Sequence, residues 1–182
     1  GAKLLVCHNR ATFLRTTVAA SEGDPVEAFN RLIRRLRPHF EFIFISESKR
    51  GDYGVPGRVI LPGLDVENYG GYTGERACVI RVGNMMRSRH LMFDVDFQET
   101  VCQGLPTRVI GNDPLIPGAQ PAPSFAALLS EFRQNRCLLH VSREDYEDGY
   151  NLSLLEAMAC GMPVVSLANR TSPITHGEDG FS

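Results

Sequence analysis

An α/β fold, with a parallel sheet flanked by helices, is what this sequence predicts. Short apolar runs of strand type recur at 3–7, 40–45, 58–61, 78–82, 107–110, 137–141 and 163–167. Stretches with helix periodicity and helix start signals stand between them, and polar candidates for a site follow several strands at once. Such alternation calls for parallel strands joined by helical crossovers, with ligands bound where loops leave the carboxyl ends of the strands.

Taken in order, the first run is Lys3-Leu4-Leu5-Val6-Cys7, and His8 ends it. Asp24-Pro25-Val26-Glu27 then offers an N-cap, a proline at the first helical position and a reciprocal acid. Val26, Phe29, Ile33 and Leu36 follow as one apolar stripe. Arg31, Arg34, Arg35 and Arg37 cluster in the same region, either as the solvated face of this helix or as a contact for an anionic lipid or membrane surface. A second capped helix runs from Ser124 to Asn135, with Phe125, Leu128, Leu129 and Phe132 on its apolar side. The stretch 112–123 is rich in Pro and Gly without periodicity, which predicts a surface loop.

Composition narrows the class. The 182 residues suffice for one large or two small cores, and the apolar and charged fractions, 43% and 22%, are those of soluble domains. A net charge of -2 without a basic stripe argues against nucleic acid. No apolar run reaches the length of a membrane span, and the first residues lack a signal peptide's layout. Cys7, Cys78, Cys102, Cys137 and Cys160 are scattered singly, which reads as reduced, mostly buried thiols and not as a zinc site or disulfide frame. The expected location is therefore cytoplasmic, or peripheral to the inner face of the membrane if the arginine cluster is used.

The most informative stretch is Asp148-Gly-Tyr-Asn-Leu-Ser-Leu-Leu-Glu156-Ala-Met-Ala-Cys160, joined through Gly161 to the strand run. A helix starting at about Tyr150 would present its first N–H groups as anion donors. Glu156, two turns along, could accept two hydrogen bonds from a vicinal diol, and eight residues return it to within about 80° of the face of Asp148. The plainer alternative makes Asp148 an N-cap and Glu156 a solvated surface residue.

With 172–181 behind it, the run 147–166 closely resembles the carboxyl-terminal donor-binding domain of GT-B glycosyltransferases of family 4. Those enzymes carry Glu-x-Phe-Gly-Leu-x-x-x-Glu-Ala-x-Ala-x-Gly-x-Pro-Val-Val. On that frame Asp148 and Glu156 are the two acids, and Leu152, Ala157, Ala159, Gly161, Pro163, Val164 and Val165 coincide. Upstream, Pro62-Gly63-Leu64-Asp65 resembles the interdomain crossing, Val82-Gly83-Asn84 the end of the first donor-domain strand, and 109–114 the turn after the next. Arg89 falls where the family's phosphate-binding lysine stands, and His8 where a histidine often ends an acceptor-domain strand and faces the donor sugar. A strand-end histidine with no such role is the alternative for His8. Three positions depart from the pattern: Asp148 replaces Glu, Asn84 replaces Arg, and Ser172 stands near where an acid often lies. Arg87 is a candidate to supply the charge that Asn84 lacks, with a solvated charge at a helix start as the alternative for both Arg87 and Arg89.

The resemblance implies an incomplete GT-B, Rossmann-like chain. Residues 1–65 would be part of the amino-terminal acceptor-side domain, and 66–182 the nucleotide-sugar domain without its closing helices. It implies transfer of a sugar from a nucleotide-diphosphate donor to an acceptor hydroxyl with retention, such as a sugar or lipid-linked acceptor in polysaccharide biosynthesis. Asp148, Glu156 and His8 would be the catalytic set, and Asn84, Arg87, Arg89, Gly149, Tyr150, Asn151, Leu152 and Ser172 the donor and phosphate contacts. No cofactor and no metal is expected; Asp94-Val95-Asp96 has the letters of a metal-binding motif but falls in a predicted helix. A non-catalytic nucleotide-sugar-binding module and another GT-B enzyme, such as an epimerase, are the competing classes.

Overall fold

The computed structural model describes residues 3–18 and 23–182. The chain divides into two units: Gly1–Pro62 with Asp145–Asp148, and Gly63–Glu144 with Gly149–Ser182.

In the first unit, β1 (Leu4–Cys7), β2 (Glu41–Phe44) and β3 (Arg58–Val59) form a parallel sheet in the order β1-β2-β3. Helices α1 (Ala11–Val18), α2 (Pro25–Leu36) and α3 (Glu47–Tyr53) connect them. Asp24 caps α2 as its sequence predicts, its side chain accepting from the N–H of Val26 at 2.9 Å. Phe29 and Ile33 of α2 are buried with Cys7, Ala11, Phe42 and Phe44. Val26, expected on that stripe, is exposed, and the core contacts of α2 begin at Ala28 and Phe29. The four arginines are exposed. Helix α3 carries Gly and Asp and no apolar period, so the sequence did not announce it; it is set by its ends. Ser46 accepts from the N–H of Lys49 at 3.1 Å, and Gly54 closes the helix in the left-handed region at φ 63°.

The second unit holds β4 (Arg76–Val82), β5 (Thr107–Ile110), β6 (Asn135–His140) and β7 (Val164–Ser166) in the order β5-β4-β6-β7, all parallel. Its helices are α4 (His90–Phe93), α5 (Val95–Val101), α6 (Phe125–Gln134) and α7 (Leu152–Cys160). On one face of the sheet Ile80, Ile110, Leu138 and Val164 pack with Leu129 and Phe132 of α6 and with Leu154, Ala157 and Cys160 of α7. On the other, Val79, Leu139 and Val141 meet Cys102, which follows α5. Both faces are covered, as a parallel sheet requires, and function is left to the edge where the strands end. Both units are thus α/β, with parallel strands flanked by helices.

Two expectations change. The stretch 112–123 is irregular, but it is more than a surface loop. Asp113 and Ile116 are buried, the Asp113 carboxylate accepts from the N–H groups of Arg87 at 2.8 Å and Leu115 at 3.0 Å, and Gln120 bridges in parallel to Ile110. Asp94 lies between two helices and not within one: in the left-handed region at φ 45°, it ends α4 and caps α5. All five cysteines are free; Cys7, Cys102 and Cys160 are buried, and burial pushes these thiols up.

The loops that end β4 and β5 meet backbone to backbone. A Cβ added at Gly111 would lie 1.8 Å from the carbonyl oxygen of Gly83, so no side chain fits there. Gly104 also has a positive φ, 80°, but open space around it. Gly104→Ala should therefore cost only the left-handed penalty of about 1–2 kcal/mol, whereas Gly111→Ala should lower stability by a clearly larger amount in denaturant titrations of the two variants.

Candidate functional site

Parallel pairing puts the carboxyl ends of β4, β5, β6 and β7 on one edge of the second unit. The segments that leave them contain Asn84, Arg87 and Arg89 after β4, Gly111 and Asn112 after β5, and Asn169, Thr171 and Ser172 after β7. Four of the eight donor-binding candidates, Asn84, Arg87, Arg89 and Ser172, lie in these segments. A cavity of about 260 Å³ opens between the ends of β4 and β5 and the start of α6, bounded by Asn84, Gly111, Ser124 and Phe125.

Helix α7 begins at Leu152, two residues later than the sequence suggests, because Asn151 and not Asp148 caps it. The Asn151 Oδ1 accepts from the N–H and the hydroxyl of Ser153 at 2.9 and 2.6 Å. Asn151 is thus occupied as a cap. The N–H of Gly149 is likewise taken, donating to Thr171 Oγ1 at 2.7 Å. A Cβ at Gly149 would fall 2.7 Å from the Cα and N of Ser172, so these backbones touch with no room for a side chain. The Ser172 hydroxyl accepts from the N–H of Ile174 at 3.3 Å. Tyr150 is half-buried, and Leu152 is exposed at the helix start.

Glu156 stands one turn inside α7 and is half-buried. Burial pushes its carboxyl upward. Among the described residues no hydrogen bond or ion pair engages it, and Tyr69 is its charge-coupled neighbour. A partly desolvated carboxylate without a protein partner is a costly arrangement unless something else meets it.

Asp148 has the opposite character and corrects its assigned role. Its side chain is 0% exposed, with Oδ1 2.5 Å from Lys49 Nζ and Oδ2 accepting from the Ser46 hydroxyl. Glu147 shares the same lysine at 2.6 Å. Burial raises the Glu147 carboxyl, and Lys49 opposes that rise. Asp148 therefore presents no oxygen to a sugar in this structure. Nothing in the sequence marks Lys49, Ser46 or Thr171 as partners of this motif, since each lies far from it in number or is an ordinary loop residue.

The basic candidates also differ from expectation. The guanidinium of Arg87 pairs with Asp96 and Glu99, at 2.5 Å to each, so its charge is already matched on the surface of α5. Arg89 lies with its guanidinium 5.3 Å from the centre of the Phe93 ring and 3.7 Å from the sulfur of Met92. Asn84 is exposed and uses its Oδ1 to accept from the N–H of Asn112 at 2.8 Å, which leaves its NH2 directed elsewhere. His8 is exposed and directly follows β1 in the first unit. Among the described residues no cluster of three or more His, Cys, Asp or Glu is arranged to hold a metal, and no helix is long and apolar enough to cross a membrane.

His140, the last residue of β6, went unremarked in the sequence. It is buried, its Nε2 has no hydrogen-bond partner, and burial lowers its pKa to about 4. Its Cα partner across the ladder is Ser166, whose hydroxyl is also buried and unpartnered.

Residues 116–182, which include α6, β6, α7 and β7, match the family model of glycosyl transferases group 1. No curated protein matches the chain. Over that segment the chain is similar to the family, which supports glycosyl transfer as a general activity.

A folded pKa of about 4 against the ordinary 6.5 of histidine fixes the sign of a pH effect. The unfolded chain binds the proton more tightly, so the stability held above pH 6.5 is lost as pH falls toward 4, by an amount on the order of 2–3 kcal/mol. Urea melts between pH 7 and 4 should show this slope, and His140→Gln should remove most of it.

Proposed function

We propose that this chain carries the donor side of a glycosyltransferase that moves a sugar from a nucleotide diphosphate to an acceptor hydroxyl, with retention of the anomeric configuration. The observation that carries this reading is Glu156, a half-buried carboxylate that no described residue engages, one turn inside a helix at the ligand edge of a parallel sheet. A ribose diol supplies the two donors that such a carboxylate lacks. The match of residues 116–182 to glycosyl transferases group 1 supports the same chemistry.

Sugar transfer requires a departing diphosphate to be stabilised and a glycosyl cation-like transition state to be kept from water. The start of α7, at Leu152, offers backbone N–H groups and the positive end of its dipole. The NH2 of Asn84 and the guanidinium of Arg89 are the side-chain donors at the end of β4. Arg87 joins them only by leaving Asp96 and Glu99. In the first unit, His8, directly after β1, is the remaining catalytic candidate. The scheme is written without a metal, the diphosphate being met by helix and amide dipoles and by a guanidinium.

A second reading has an observation of its own. With Arg87 matched by acids, Asn84 neutral and Asp148 buried, three of the expected ligand contacts are weakened, which favours a module that binds nucleotide sugars without turning them over. Product analysis separates the two, because only the transferase joins a second sugar.

A thermal-shift panel of UDP-, GDP- and ADP-sugars tests the shared premise. One of them should raise the melting temperature by mass action, about 2.7 kcal/mol at a hundredfold excess over its dissociation constant. Glu156→Ala should abolish that response while melting normally without ligand. A panel in which no nucleotide stabilises the protein would exclude both readings.

A further inference from the structure

Two polar side chains of the second unit lie beneath the start of α7 without partners. His140 ends β6 and Ser166 ends β7, the ladder makes them Cα partners, and both His140 Nε2 and the Ser166 hydroxyl are buried with no hydrogen bond. Strand alternation places them on the face of Leu138 and Val164, two residues earlier on each strand. Those two pack with Leu154 in the first turn of α7. Because β6 and β7 are parallel and α7 crosses from one to the other, the helix runs back against the strands. Its first residues therefore lie over the edge where His140 and Ser166 end their strands. Continuing the register of Ile80 with Leu138 by two places sets Val82 beside His140, and Val82 borders the cavity of about 260 Å³.

Burial lowers the His140 pKa to about 4, so the free protein holds a neutral imidazole there at neutral pH. The charged groups on the elements around it are engaged elsewhere or lie on α7. On α7 the one charged residue is Glu156, and β7 carries none. Glu131 of α6 pairs with Arg108 of β5 and Arg76 of β4. Arg133 of α6 donates to the Gly70 carbonyl and Arg136 of β6 to that of Gly74. In the loops after β6 and β7, Arg143 pairs with Asp94 and Arg170 with Glu144. Arg81 of β4, between Ile80 and Val82, belongs to the opposite face of the sheet.

The same edge is short of positive charge, since Asn84 is neutral and Arg87 is held by Asp96 and Glu99. A diphosphate at the start of α7 would change the potential beneath the helix, and a nearby anion favours the charged form of an imidazole. The hydroxyl of Ser166 offers an acceptor on the neighbouring strand. We propose that His140 is a counter-charge for the donor: it takes up a proton from solvent when a nucleotide diphosphate occupies the start of α7, with Ser166 as acceptor for its N–H, and so meets the phosphates from below without touching them. This rests on the reading of that helix start as the diphosphate site. Linkage sets the sign. Binding that raises the affinity of His140 for a proton grows tighter as pH falls, whereas protonating Glu156 removes the acceptor for the ribose and acts the other way.

Calorimetric titrations of UDP-glucose and GDP-mannose between pH 8 and 5.5 test this, because their diesterified diphosphates keep a constant charge through that range. The affinity of whichever binds should rise as pH falls, by at most about tenfold per pH unit for one proton. Heats in two buffers of different ionisation enthalpy should show net proton uptake. His140→Gln should lose both the pH dependence and the uptake. The imidazole nitrogen shifts of His140 in the wild type give a second readout that needs no variant: the charged form should appear at higher pH in the complex than in the free protein. Binding without proton uptake, a His140 titration that the donor does not move, or a pH dependence that survives His140→Gln would each overturn the inference and leave the donor reading intact. A protein that binds no nucleotide sugar at any pH would overturn the donor reading, and this inference with it.

Discussion

A carboxylate taken out of water must find a cation, and that requirement organises this chain. Glu147 and Asp148 are both buried, next to each other in sequence, with Lys49 between their oxygens. Two acids without the lysine would repel in a medium that screens poorly. The lysine lies 99 positions from Asp148, so the pair closes a very long segment of chain. Loop entropy grows only slowly with length, so closing so long a segment costs little more than closing a shorter one. The first unit is discontinuous: Asp145–Asp148 belongs with Gly1–Pro62, and the two carboxylates meet Lys49 there.

The second unit depends on a different constraint. Its parallel strands are covered on both faces, and polar loop residues gather where the strands end. Gly111 and Gly149 show how tightly that edge is built, since each lets one backbone rest on another where a methyl group would collide. Asp113, buried and accepting from two backbone N–H groups, ties the loop after β5 to the loop after β4. A wall assembled in this way is preformed, so a ligand entering it bears little ordering cost.

Much of this could be read from the residues, and what could not was decided by distant partners. The caps at Asp24 and Ser124, the strand runs and the parallel α/β class follow from local patterns that the folded chain keeps. The acid pair was visible as spacing, but spacing cannot say what each acid meets. Asp148 and Glu156 look equivalent on a helical wheel, yet one is saturated by Lys49 and Ser46 and the other is left without a described partner. Helix α7 starts late because Asn151 competes for the cap that Asp148 seemed suited to, and Asp148 is held elsewhere. Arg87 was assigned by proximity to a strand end; the left-handed turn at Asp94 restarts the chain as α5 and brings Asp96 and Glu99 to it. Phe125, read as a core position, is exposed and meets Tyr69 edge-on at 6.2 Å.

If the second unit takes a nucleotide diphosphate, as proposed, these pairings bear on the kind of site it would make. A nucleotide diphosphate brings about two negative charges. The helix start contributes roughly half a positive charge, Asn84 contributes a dipole, and the Arg89 guanidinium lies against the Phe93 ring. The sum falls short of neutralising the ligand, and Arg87 cannot close the gap while two carboxylates hold it. Such a site cannot rest on Coulomb attraction alone. On the proposed reading it would draw on hydrogen bonds from the ribose hydroxyls to Glu156 and on contact with the walls around the 260 Å³ cavity, whose lining is mostly apolar side chains and glycine backbone. Discrimination among donors would then come from shape and from hydrogen bonds to the nucleoside, and charge would serve mainly to admit the phosphates.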